Sequence, residues 1–105
     1  MADIEKVTDD NFAASIAAGV VLVDFYADWC GPCRMLAPVI DKVAVAMKGQ
    51  AKVVKLDTDQ AEKTAASLQI TSIPTLILFK EGKEVDRVVG LKDEQALLAM
   101  IKRAL

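Results

Sequence analysis

The chain reads as an α/β fold, a central mixed β-sheet of about five strands flanked by about four helices on both faces. Three observations carry this. Strand-like and helix-like segments alternate in the order βαβαβαββα, which implies parallel crossovers early and an antiparallel hairpin late. Three apolar runs, 20–27, 51–57 and 75–79, are rich in β-branched residues and short enough to be strands. The length of 105 residues suits a single domain spanning 1–105.

Each element has a local reason. "IEKV" (4–7) reads as a short edge strand, and "TDDN" (8–11) offers capping side chains for a helix with Phe12 and Ile16 one turn apart. Gly19 is placed to end that helix. "VVLVDFYA" (20–27) has almost no polar alternation, the pattern of a strand covered on both faces, and is the candidate central strand. Met35, Leu36, Val39, Ile40, Val43 and Met47 then recur at helical spacing until Gly49. A long helix is expected from about Pro32, kinked at Pro38. "AKVVKLD" (51–57) is the next strand, and Asp59 with Glu62 resembles a capping box for a short helix through about Leu68. "TLILF" (75–79) turns through Glu81-Gly82 into an antiparallel "KEVDRVVG" (83–90). From Asp93 a terminal helix carries acids in its first turn and bases in its last.

Composition narrows the function. The chain is 53% hydrophobic and 27% charged, outside the class that stays disordered. Thirteen basic and 15 acidic residues are interleaved, with no basic run to neutralise phosphates, so nucleic acid is not expected as a partner. No signal sequence is visible in "MADIEKVTDD" and no apolar stretch reaches the ~20 residues of a membrane span, so a soluble, cytoplasmic monomer is expected, without membrane partners. The absence of histidine excludes Ser-His-Asp and Cys-His nucleophiles and any histidine metal ligand.

The two cysteines carry the chemistry. In "WCGPC" Cys30 and Cys33 are one helical turn apart, so they can reach disulfide distance if a helix begins between them. A helix amino terminus stabilises a thiolate, which makes Cys30 the better-placed nucleophile. Pro32 suits the first turn, and Gly31 keeps the approach to an exposed Cys30 open. A structural disulfide is disfavoured, because so short a loop constrains the unfolded chain little. Zinc is disfavoured because two cysteines supply half of a closed site; no metal or other cofactor is expected beyond a redox-active Cys30–Cys33 bridge.

Asp24 interrupts the candidate central strand. If buried, desolvation raises its pKa and fits it for proton transfer near neutral pH; the alternative is a solvated strand end. Lys55, at the corresponding depth of the next strand, is a possible counter-charge. Pro74 is either a simple strand-start proline or the second half of a cis Ile73-Pro74 bond, which would expose the Ile73 backbone for β-type pairing with a substrate.

The chain resembles the thioredoxin family over essentially its whole length. The resemblance rests on "WCGPC", on the aspartate six residues before the first cysteine, on "SIPT" about forty residues later and on "VVG" near the end. It implies a thioredoxin fold and a thiol-disulfide oxidoreductase that reduces disulfides in partner proteins. Cys30 would attack and form a mixed disulfide, and Cys33, deprotonated with help from Asp24, would resolve it. Lys55 matches the partner of the buried aspartate. Trp29, Gly31, Ile73, Pro74, Val89 and Gly90, with Pro32 between the cysteines, match a flat apolar substrate-binding surface. A thioredoxin reductase would supply electrons. An oxidase or isomerase is disfavoured by the Gly-Pro dipeptide, and a binding module working through the patch near Trp29 is the reading from another class.

Overall fold

Val20 to Phe25 are all buried, because their strand has neighbours on both edges and helices on both faces. A computed structural model describes residues 4–105. Among the described residues the strands are β1 (Glu5–Val7), β2 (Val20–Tyr26), β3 (Lys52–Asp57), β4 (Thr75–Lys80) and β5 (Lys83–Val89). The helices are α1 (Phe12–Ile16), α2 (Gly31–Ala46), α3 (Glu62–Ser67) and α4 (Glu94–Ala104). The sheet order is β1-β3-β2-β4-β5, so the strand expected at the centre is central. β2 runs parallel to β3 and antiparallel to β4, which sets Asp24 between Lys55 and Leu76. The sheet is mixed, with helices on both faces, as expected.

Alternation along the strands divides the core. Val20, Leu22, Leu76 and Leu78 pack with Leu36, Ile40 and Val43 of α2 and with Leu97 and Ile101 of α4. Val21, Val23, Phe25, Ile77 and Phe79 point the other way, onto Ile16 and Phe12 of α1. The Phe12 ring meets Phe79 edge-on at 5.6 Å, a preferred aromatic geometry. By the same alternation Asp24 and Tyr26 share the Leu22 face, the one covered by α2.

The β4–β5 turn is the tight hairpin expected, with φ of 53° at Glu81 and 83° at Gly82. Two consecutive positive φ values are what a type I′ turn requires. This tip is tied to the turn before β2, where Glu81 N–H donates to Gly19 O at 3.0 Å and Gly19 N–H to Glu81 Oε1 at 3.2 Å. Register then shifts between Leu78 and Phe79, leaving Val85 as the extra residue of a bulge in β5. At α4 the Asp93 side chain accepts from Ala96 N–H at 2.8 Å, and Lys102 and Arg103 fall in the last turn.

α2 runs from Gly31, close to the expected start, through Pro38 to Ala46; Pro38 is on its exposed side, where water can satisfy the Arg34 carbonyl that lacks an intrahelical donor. Several other local expectations need correction. α1 ends at Ile16, with Gly19 (φ 69°) turning the chain into β2. Asn11 does not cap α1; its Oδ1 accepts from Thr8 N–H at 2.7 Å instead. The Asp59/Glu62 capping box does not form, since α3 follows Ala61 and has no cap from its own segment. Asp9, from the β1–α1 connection, takes that role. Its Oδ1 accepts from Thr64 N–H at 2.8 Å and Thr64 Oγ1 at 2.7 Å, and its Oδ2 from Lys63 N–H at 3.3 Å. These bonds hold the carboxyl below its usual pKa.

Candidate active site

Cys30 is the N-cap of α2, with extended backbone (φ −86°, ψ 114°), and Pro32 falls in the first turn as expected. The Cys33 N–H, one of the helix's free amides, donates to Cys30 Sγ at 3.2 Å. The two cysteines are joined in a disulfide across a Cα separation of 5.2 Å. Contrary to the expectation of an exposed Cys30, both are only 4% exposed. The bridge folds Cys30 Sγ over the helix end, where Ala27, Tyr26 and Ile73 pack around the pair. Ile73 O lies 3.8 Å from Cys30 Sγ.

The rim is built from three loops. Trp29, beside Cys30, is 68% exposed, yet its indole is fixed by a 2.9 Å hydrogen bond to Asp59 Oδ2. Asp59 is itself held, its N–H donating to Oδ1 of buried Asp57 at 2.9 Å. Neither aspartate was among the expected site residues; Asp59 read as half of a capping box and Asp57 as the end of a strand. The Ile73-Pro74 bond is cis. Ile73 is half-buried against the cysteines, while Pro74 is buried. Val89 pairs with Thr75, and Gly90 N–H donates to Pro74 O at 2.8 Å, which brings the "VVG" segment beside the proline loop. Val89 is exposed, and Gly31 and Gly90 are half-buried.

Asp24 is buried, not a solvated strand end, and its Oδ1 has no hydrogen-bond partner. Burial pushes its carboxyl up to about 7, with the charge of Lys55 pulling weakly the other way. Lys55 sits directly across from it on β3 but forms no ion pair with it. The lysine ammonium lies instead over the ring of Tyr26, 5.7 Å from its centre. Burial and the charges of Asp57, Asp28 and Asp24 push the Tyr26 hydroxyl up to about 12, so it stays protonated.

A family model described as Thioredoxin matches residues 3–103. The chain belongs to the thioredoxin family. It is 51% identical over 100 residues to a thioredoxin of Chlamydia muridarum, covering 95% of this chain and 97% of that one. A thioredoxin of Staphylococcus saprophyticus is 50% identical over 102 residues, covering 97% and 98%. One from Staphylococcus aureus strain Mu50 is 47% identical over 102 residues, covering 97% and 98%. With the bridged Cys30–Cys33 pair, membership makes the chain a thiol-disulfide oxidoreductase that reduces disulfides in partner proteins by dithiol-disulfide exchange. Thioredoxins work with disulfide-containing substrates and a reductase. Among the described residues no group of three or more His, Cys, Asp or Glu is arranged to hold a metal ion, and no helix is long and apolar enough to cross a membrane.

Proposed function

We propose that Cys30 is the attacking cysteine, Cys33 the resolving one and Asp24 the group that moves the proton between steps. The reduced Cys30 thiolate attacks one sulfur of a partner's disulfide, forming a mixed disulfide and expelling the partner's other sulfur as a thiolate. Asp24 takes the Cys33 proton. The Cys33 thiolate then attacks Cys30 Sγ, the second partner sulfur leaves, and the new Cys30–Cys33 bridge holds the two electrons' worth of oxidation. The leaving sulfurs take protons from solvent and, in the second step, by way of Asp24.

The observation that carries this reading is the Cys33 N–H aimed at Cys30 Sγ from the first turn of α2. An amide donor and the positive helix end stabilise negative charge on that sulfur, as attack requires. Asp24 supports it as a buried, unpartnered carboxyl on the face that α2 covers, with a pKa of about 7. Lys55 is the charge nearest it across the sheet. Trp29, Gly31, Pro32, Ile73, Val89 and Gly90 form the surface that receives the client, with buried Pro74 shaping the loop beneath it. We read the whole chain, 1–105, as one cytoplasmic, monomeric redox domain without a cofactor, recharged by a thioredoxin reductase.

Cys33→Ser should accumulate mixed disulfides with client proteins, and Cys30→Ser should lose disulfide reduction altogether. Normal turnover by either variant overturns the assignment.

A further inference from the structure

The buried carboxyl and the lysine opposite it are not paired, and the structure contains a reason. Asp24, Tyr26 and Lys55 lie on one face of the sheet, Tyr26 two residues along β2 from Asp24 and Lys55 directly across from Asp24 on β3. That register puts the lysine diagonal to the tyrosine, within reach of a long side chain. Its ammonium lies 5.7 Å from the Tyr26 ring centre, inside the range of cation–π attraction, and Asp24 Oδ1 is left without a partner.

We propose that Tyr26 is a positioning residue of the exchange reaction: its ring holds the Lys55 ammonium away from Asp24, so that Asp24 remains an unpaired carboxyl. This rests on the reading of Asp24 as the proton-transfer group. A carboxylate paired with lysine would be a weak base, already ionised and slow to take the Cys33 proton.

The physical argument is a competition for one cation. Lys55 is half-buried, and over the ring face its ammonium keeps water on the far side. Reaching Asp24 means shedding that water into a site that is 5% exposed, a desolvation cost that direct pairing repays poorly. Among the described residues, Lys55 is the one charge acting on Asp24. Leu76 of β4 lies across from Asp24, and the core on this face of the sheet, with Leu36 and Ile40 of α2 and Leu97 and Ile101 of α4, is apolar. The acidic groups of this region, Asp57 opposite Tyr26 on β3 and Asp28 in the following loop, act on the Tyr26 hydroxyl. The Tyr26 hydroxyl stays protonated, so the ring face carries no charge of its own.

The experiment is a carbon-13 NMR titration of the Asp24 carboxyl in the oxidised protein, where Cys33 does not titrate. Tyr26→Phe keeps the ring and should leave the midpoint unchanged. Tyr26→Leu removes it, freeing Lys55 to pair, and the midpoint should fall by about one pH unit or more. The double variant Tyr26→Leu/Lys55→Met should return the midpoint to the original value or above, because the cation responsible for the fall is gone. If Tyr26→Leu does not fold, Tyr26→Met, unbranched and better able to fill the space, serves in its place. A midpoint that stays put or rises on loss of the ring overturns the inference. So does a fall that persists in the double variant, since water entering the vacated space would then be its cause. These outcomes are separate from the catalytic reading, which fails instead if Asp24→Asn turns over normally.

Discussion

Trp29 Nε1 donates a 2.9 Å hydrogen bond to Asp59 Oδ2, joining the most exposed aromatic of the site to the loop after β3. Among the described residues, the bond is the one side-chain hydrogen bond on an otherwise exposed indole. Asp59→Ala should lower kcat/KM for a protein disulfide about fivefold, or ~1 kcal/mol, the scale of one exposed hydrogen bond. Trp29 is the single tryptophan, so its fluorescence reports the change directly. Unchanged emission and unchanged kinetics would mean that the tether has no functional weight.

Asp24 should cost stability at neutral pH. Its folded pKa of about 7 exceeds its ordinary 3.8, so the folded chain holds the proton more tightly than the unfolded one. The neutral carboxyl's contribution is complete below 3.8, declines as pH rises to about 7 and is absent above that. Asp24→Ala or Asp24→Asn should therefore stabilise the protein at pH 7.5, by at most about 4 kcal/mol, while slowing turnover. Chemical denaturation from about pH 4 to pH 8 checks both sign and window, and a variant less stable at pH 7.5 contradicts the burial of an unpaired carboxyl.

The Asp9 clamp on α3 has the opposite sign. The folded pKa of Asp9 is below 3.8, so its contribution is present above 3.8 and disappears as pH falls through the folded value. Asp9→Ala should lower Tm by a few degrees at neutral pH and speed amide exchange at Lys63 and Thr64, with no such difference from the parent in strong acid.

Arg87 connects β5 to the end of α3. Its guanidinium takes both oxygens of Glu84 at 2.8 Å and donates Nη1–H to Leu68 O at 2.9 Å. Arg87→Lys keeps the charge and loses the fork, and should cost about 1 kcal/mol in urea denaturation. A neutral result would assign the contact to the surface pairs that add nothing measurable.

Legibility in the sequence followed the range of the interactions. β2 was legible because burial on two faces leaves an uninterrupted apolar run, and Asp24 because it breaks that run. Glu81-Gly82 was legible because a two-residue turn is specified by its own residues. Asp9 and Thr64 are 55 residues apart, and Trp29 and Asp59 are 30 apart, so nothing local marks them as partners. Local cap chemistry pointed Asp59 at α3, and tertiary structure gave it to Trp29 instead. The burial of Cys30 was equally out of reach, since Ile73, which packs against it, arrives from a loop 43 residues away.

The bulge at Val85 has a consequence for the sheet edge. Partly unfolded chains present unpaired strands that can add to an exposed sheet edge. A long flat sheet edge would template onto such chains and draw the carrier into their aggregates. Here one edge, β1, is three residues long, and the other, β5, is broken by the bulge and carries Lys83, Glu84, Asp86 and Arg87. Neither edge is thus a long, flat template for an extended chain to add to, so the sheet ends at its own five strands.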